Sequence, residues 1–178
     1  MIQFEENIRE NSLKEIAAKM LTAARTAPKA RGIDNLIIAM ASDDTILKIS
    51  NKMKEISVRD NLAFFNRDAE NILQVAAIVL IATKIKVNGL NCGLCGYPNC
   101  AEKNINPKAP CIFNTNDLGI AIGSAVGIAA DNRADNRVMY SIGLAVKEMN
   151  LLGNEAAIIF GIPLSASGKS PFFDRKPL

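Results

Sequence analysis

Val75-Ala76-Ala77-Ile78-Val79-Leu80-Ile81-Ala82 is an unbroken apolar run between Gln74 and Thr83. A run this short, with no polar residue at alternate positions, suits a β-strand covered on both faces. Leu36–Ala41 and Ala156–Ile162 have the same character. Three such strands predict a central mixed sheet flanked by helices, in an α+β (α/β layered) chain of one domain over residues 1–178.

The segments between these runs supply the helices. Ser12 with Glu15 forms a capping box, and Leu13, Ile16, Ala17, Met20, Leu21 and Ala24 follow at helical spacing. Pro28 marks the end of this helix, and 25–34 is a basic loop. Asp43 or Asp44 is expected to cap a helix that buries Ile46, Ile49, Met53 and Ile56. Residues 60–67 read as a connection and 68–74 as a short helix. A further helix is expected over 117–131. Asp135 is expected to cap another, with Val138, Ile142, Ala145, Val146 and Met149 facing inward. Residues 163–178 read as a basic tail.

All four cysteines lie between these helices and strands, spaced C-x2-C-x4-C-x10-C at Cys92, Cys95, Cys100 and Cys111, and the chain has no histidine. Gly93, Gly96, Pro98 and Pro110 make the segment 88–111 an irregular inserted loop. Four thiols this close point to a metal centre, and four cysteine thiolates are the usual ligands of an iron–sulfur cluster. A [4Fe–4S] cluster is the first reading, with [2Fe–2S] second. A zinc ion on the same four thiolates is the alternative, although only one C-x2-C pair is present.

The net charge of +3, without a run of Lys or Arg, gives no electrostatic footprint for nucleic acid. Neither a signal peptide nor a membrane span is expected, so the chain is read as cytoplasmic. No triad, Walker loop or dinucleotide fingerprint occurs. Without histidine, acid–base catalysis near neutral pH falls to carboxylates or lysines, which suits electron transfer better than hydrolysis.

Cys92-Gly93-Leu94-Cys95-Gly96-Tyr97-Pro98-Asn99-Cys100 resembles the C-G-x-C-G-[YF]-x-x-C segment of cluster-binding domains in electron-transport subunits and corrinoid iron–sulfur proteins. Ala23–Asp34, Asp117–Val126, Asp135–Tyr140 and Gly161–Ser170, together with the cysteine loop, resemble uncharacterised prokaryotic proteins known by their ferredoxin domain.

A second resemblance is to FMN-dependent nitroreductases, carried by Ala23-Ala24-Arg25-Thr26-Ala27-Pro28, the strand and helix after it, and Ile158-Ile159-Phe160-Gly161-Ile162-Pro163. It implies a homodimer with FMN at its interface. It also implies Arg25, Lys29, Arg31, Lys169 and Arg175 as contacts of the flavin phosphate. Two features depart from that family: Lys29, Ala30, Gly32 and Asp34 stand where Asn and Gln normally meet the flavin, and no Arg-Arg-Ser segment precedes Ser12.

Gly119, Gly123 and Gly127 form a bare ridge on one helix face, which suits close approach of another helix, a dimer mate or a planar cofactor. Arg137 is expected to pair with a carboxylate such as Asp174 or with a ligand anion, and Tyr140 to pack in the core. The functional expectation is an iron–sulfur redox protein serving an unidentified protein or small-molecule acceptor. The alternatives are a flavin oxidoreductase fed by the cluster and a metal-stabilised structural module.

Overall fold

The computed structural model describes residues 1–173. Four strands, β1 (Leu36–Ala41), β2 (Ala77–Thr83), β3 (Asp135–Asn136) and β4 (Ile158–Ser165), form one sheet in the order β1-β2-β4-β3. Every pairing among them is antiparallel, so the mixture of strand directions expected from the sequence is not seen among the described residues. Six α-helices accompany the sheet among the described residues: α1 (Arg9–Thr26), α2 (Asp44–Asp60), α3 (Ala63–Ile72), α4 (Cys100–Ile105), α5 (Ile112–Asp131) and α6 (Tyr140–Glu148). The α+β architecture read from the sequence is the one observed.

All seven residues of β2 are buried, because helices cover both faces of the sheet. Ala77, Val79 and Ile81 turn toward α1 and α5, while Ile78, Leu80 and Ala82 turn toward α2, α3 and α6. Truncating one of the large side chains here, as in Leu80→Ala, costs about 2–5 kcal/mol.

Several element boundaries differ from the sequence reading. α1 begins three residues before Ser12, whose N–H donates to the Ile8 carbonyl, so Ser12 is an interior residue and not a cap. α3 occupies much of the expected connection, with Phe65, Ala69 and Ile72 at helical spacing facing the core. α5 starts directly after Cys111, and Asp117 lies within it. Asp135 lies in β3, its Oδ1 accepting from the Asn136 N–H, and α6 begins only at Tyr140. Met139 is therefore buried while Val138 is exposed. β4 runs on through Pro163 to Ser165 because Ala77 and Ile78 continue to pair with it.

Tyr140 is half-exposed, against the expected core position, with its ring beside Phe64 and Phe65. Arg137 faces Asp68 at 3.6 Å and lies over the Phe173 ring. Asp174, the carboxylate suggested for it from the sequence, lies outside the described residues. No described helix is long and apolar enough to cross a membrane.

The glycine ridge of α5 is open: a Cβ at Gly119, Gly123 or Gly127 would meet nothing within 4 Å among the described residues. Close packing occurs instead between α6 and β4. A Cβ on Gly143 would stand 1.8 Å from the Ile159 carbonyl oxygen.

Candidate metal centre

The cysteine segment leaves β2 at Thr83 and returns directly into α5. Its two ends are tied where they meet, since the Lys86 N–H donates to Asn114 Oδ1 at 3.0 Å. Its base rests on the basic loop. Arg31 donates to the Asn88 carbonyl at 2.8 Å, the Asn35 side chain donates to Asn88 Oδ1 at 3.1 Å, and both oxygens of buried Asp117 face the Ala30 N–H at 3.2 Å.

The fold brings the four cysteines to one small hollow, whose apolar wall includes Val87, Leu90, Tyr97 and Phe113. Cys92 is exposed, Cys95 and Cys100 are half-buried, and Cys111 is buried at the N-cap position of α5. The loop turns at Gly89, Asn91, Gly93 and Gly96, all at positive φ. Glycine takes such values at little cost, which explains its placement beside Cys92 and Cys95.

Asn91 and Cys100 hold each other reciprocally. The Asn91 N–H reaches Cys100 Sγ at 3.4 Å, and Asn91 Oδ1 accepts from the Cys100 N–H at 2.9 Å. Asn99 caps α4 by accepting the Glu102 N–H at 2.9 Å, and its amide donates to Glu102 Oε1. This helix also carries Lys103 into the hollow, where the side chain is almost fully buried.

Among the described residues no three cysteine, aspartate or glutamate side chains converge tightly enough to hold a single metal ion. An iron–sulfur cluster takes its ligands differently: the thiolates surround a body of several atoms, not a single point. Four thiols line one small hollow, and one backbone N–H is directed at one of the sulfurs; in chemistry, thiolates are the donors that such a cluster takes.

The residues expected to meet a flavin phosphate have other partners. Arg25 pairs with Asp34 at 2.6 Å, and the buried Lys29 ammonium caps α1 by donating to the carbonyls of Ala24, Arg25 and Ala27. Arg31 holds the cysteine loop, as above. Leu36 is level with Thr83 and Ile158, whereas Ser165 lies seven residues further along β4. The chain therefore enters β1 after the 25–31 loop at one end of the sheet and leaves β4, toward the exposed Lys169, at the other, the two points standing roughly 20 Å apart along the strands. Arg175 lies outside the described residues.

Sequence reasoning did not pick out Asn91, Asn99, Lys103 or Asn114. The signal it passed over was Asn99-x-x-Glu102, a helix start hidden inside the cysteine spacing.

The chain is 40% identical over 185 residues to an uncharacterized protein of Archaeoglobus fulgidus, and the match covers 99% of each. A family model described as an uncharacterized protein containing a ferredoxin domain matches residues 108–175, which include Cys111 and lie downstream of the other three cysteines. In fold the chain is similar to a BluB-like flavoprotein from Clostridium difficile, with 21% identity, a TM-score of 0.53, and coverage of 92% of this chain and 85% of that one. It is also similar to nitroreductase A from Vibrio parahaemolyticus, with 15% identity and a TM-score of 0.56, covering 93% of this chain. It spans 62% of that nitroreductase's length. These likenesses establish a nitroreductase-like α+β fold. The relative matched from end to end, together with the matched model, shows that the chain belongs to the family of uncharacterized proteins containing a ferredoxin domain (DUF2148).

Proposed function

We propose that this is a cytoplasmic redox protein that holds a [4Fe–4S] cluster on Cys92, Cys95, Cys100 and Cys111. The observation that carries this reading is the convergence of all four thiols on one hollow, although Cys111 is remote in sequence from the other three. A bound cluster would supply one-electron redox chemistry. The protein's own part is to present four thiolates on a loop fixed at both ends, to direct the Asn91 N–H at sulfur, and to keep Cys111 from solvent. Exposed Cys92 leaves one side of the site open to an electron donor or acceptor.

Anaerobic loading with iron and sulfide tests the reading. About four irons and four sulfides per chain, with broad visible absorbance lost in Cys111→Ser, are expected for four-cysteine ligation. A colourless protein that retains one zinc per chain would instead favour a metal-stabilised structural module.

The fold likeness to flavoproteins favours a second reading, in which FMN binds as well and exchanges electrons with the cluster site. Its phosphate would meet Arg25, Lys29 and Arg31, with Lys169 and Arg175. The first three precede β1 at one end of the sheet and Lys169 follows β4 at the other, so a phosphate site shared by them would draw them from two protomers. A homodimer built on the open Gly119–Gly123–Gly127 ridge, flanked by exposed Ile112 and Ile120, is part of this proposal. Titration of cluster-loaded protein with FMN, with light scattering for mass, tests both. Absence of saturable binding at high micromolar flavin would remove the second reading.

A further inference from the structure

Among the described residues that line the cysteine hollow, Lys103 is the one that carries a charge. Only 2% of it is accessible, and it forms no salt bridge with any described carboxylate. A buried ammonium without an anionic partner is costly, and proteins keep buried charges where something compensates them. The hollow offers no carboxylate, but it offers four thiols.

We propose that Lys103 is a built-in counter-charge of the cluster site and sets how readily the bound cluster accepts an electron. This rests on the iron–sulfur reading above. Four thiolates carry more negative charge than an iron–sulfur core offsets, so the loaded hollow is anionic, and one-electron reduction adds a further negative charge. Lys103 places a positive charge beside that electron, in a site where low exposure limits screening by water and salt. It favours the reduced form over the oxidised one, because net charge around a cluster is among the factors that set its potential. Its position on α4, three residues after Cys100, couples it to a ligand through one helical turn. Lys108 on the same segment is exposed and serves as a control for charge without burial.

The test uses the full chain loaded anaerobically with iron and sulfide, titrated with dithionite against a poised electrode and followed by electron paramagnetic resonance. Lys103→Gln is expected to lower the reduced-to-oxidised ratio at a given potential at least tenfold, which is about 59 mV for one electron. Lys108→Gln is expected to stay within threefold of the wild type. A Lys103→Gln protein within threefold of the wild type overturns the proposal. Should that variant fail to fold or load, the wild type labelled with 15N at lysine Nζ answers the same question. Pulsed resonance of its reduced cluster is expected to show a lysine nitrogen coupling, and absence of that coupling overturns the proposal. A wild type that takes up no iron and sulfide overturns the cluster reading itself, and is told apart from failure of the Lys103 proposal at the loading step.

Discussion

Asn91 is clasped to Cys100 from both directions, its N–H reaching the sulfur and its side-chain oxygen accepting the cysteine's own N–H. Asn91 also sits in the left-handed region, at φ 48. Asn91→Ala removes the acceptor and imposes a backbone preference that costs about 1–2 kcal/mol. The expected result is several-fold faster loss of iron to a chelator. Asn91→Gly keeps the backbone freedom and is expected to fall between the two.

Gly143 allows α6 to lie directly on β4. With a Cβ only 1.8 Å from the Ile159 oxygen, Gly143→Ala requires the helix to move. The expected cost is about 3 kcal/mol or more, the upper range for overpacking, read as a lowered urea midpoint. Iron uptake by the fraction that remains folded is expected to persist, since α6 does not line the cysteine hollow.

The glycines of α5 are expected to behave in the opposite way. Gly123→Ala meets no neighbour among the described residues, and alanine is favoured over glycine in a helix interior by about 1 kcal/mol. The fold itself should gain by roughly that amount. If the ridge is the face on which two copies meet, the same change weakens the dimer. Light scattering at several concentrations separates the two effects, and an unchanged dimer would place its interface elsewhere.

Asp34 gives the stability a defined acid limb. Partial burial pushes its carboxyl upward, but the Arg25 guanidinium at 2.6 Å, the Leu36 N–H at 3.0 Å and nearby Lys29 together hold it below the usual carboxylate range. A carboxyl lowered in the folded state adds stability above its unfolded pKa of about 4, and that stability is lost as pH falls through the folded value. Asp34→Asn is therefore expected to be less stable than the wild type at pH 7. Urea midpoints should show that difference shrinking toward pH 3.

The legibility of this chain in its sequence varied with how local the determining forces are. Leu36–Ala41 was readable to the residue because a continuous apolar run has few other uses. The inward face of α2, with Ile46, Ile49, Met53 and Ile56, was readable from its period. Asp135 was not, because an acidic residue ahead of an apolar period marks a helix start only if the chain is free of other partners. Here β4 captures Asp135 and Asn136 as an edge strand. The thiols were legible as a set, whereas Lys103 was not: its burial depends on a short helix folding within the loop, which no hydrophobic period announces. Arg25, Lys29 and Arg31 read as a basic loop that could meet a phosphate, but Asp34, the end of α1 and Asn88 each claim one of them.

The Lys86–Asn114 hydrogen bond closes the neck of the cysteine segment just where the strand stops and the helix begins. Both hydrophobic clusters draw on the sheet and the helices around it, and apart from Cys111 no cysteine belongs to the core. The segment hangs from the fold like a cassette, with its two anchor points already adjacent. A shortened chain in which a few flexible residues join Lys86 to Ile112 would incur little extra loop-closure entropy. Such a chain should keep its sheet and every α-helix except α4 while losing every thiol, which makes the scaffold one on which the cysteine segment can be removed, exchanged or redesigned without refolding what carries it.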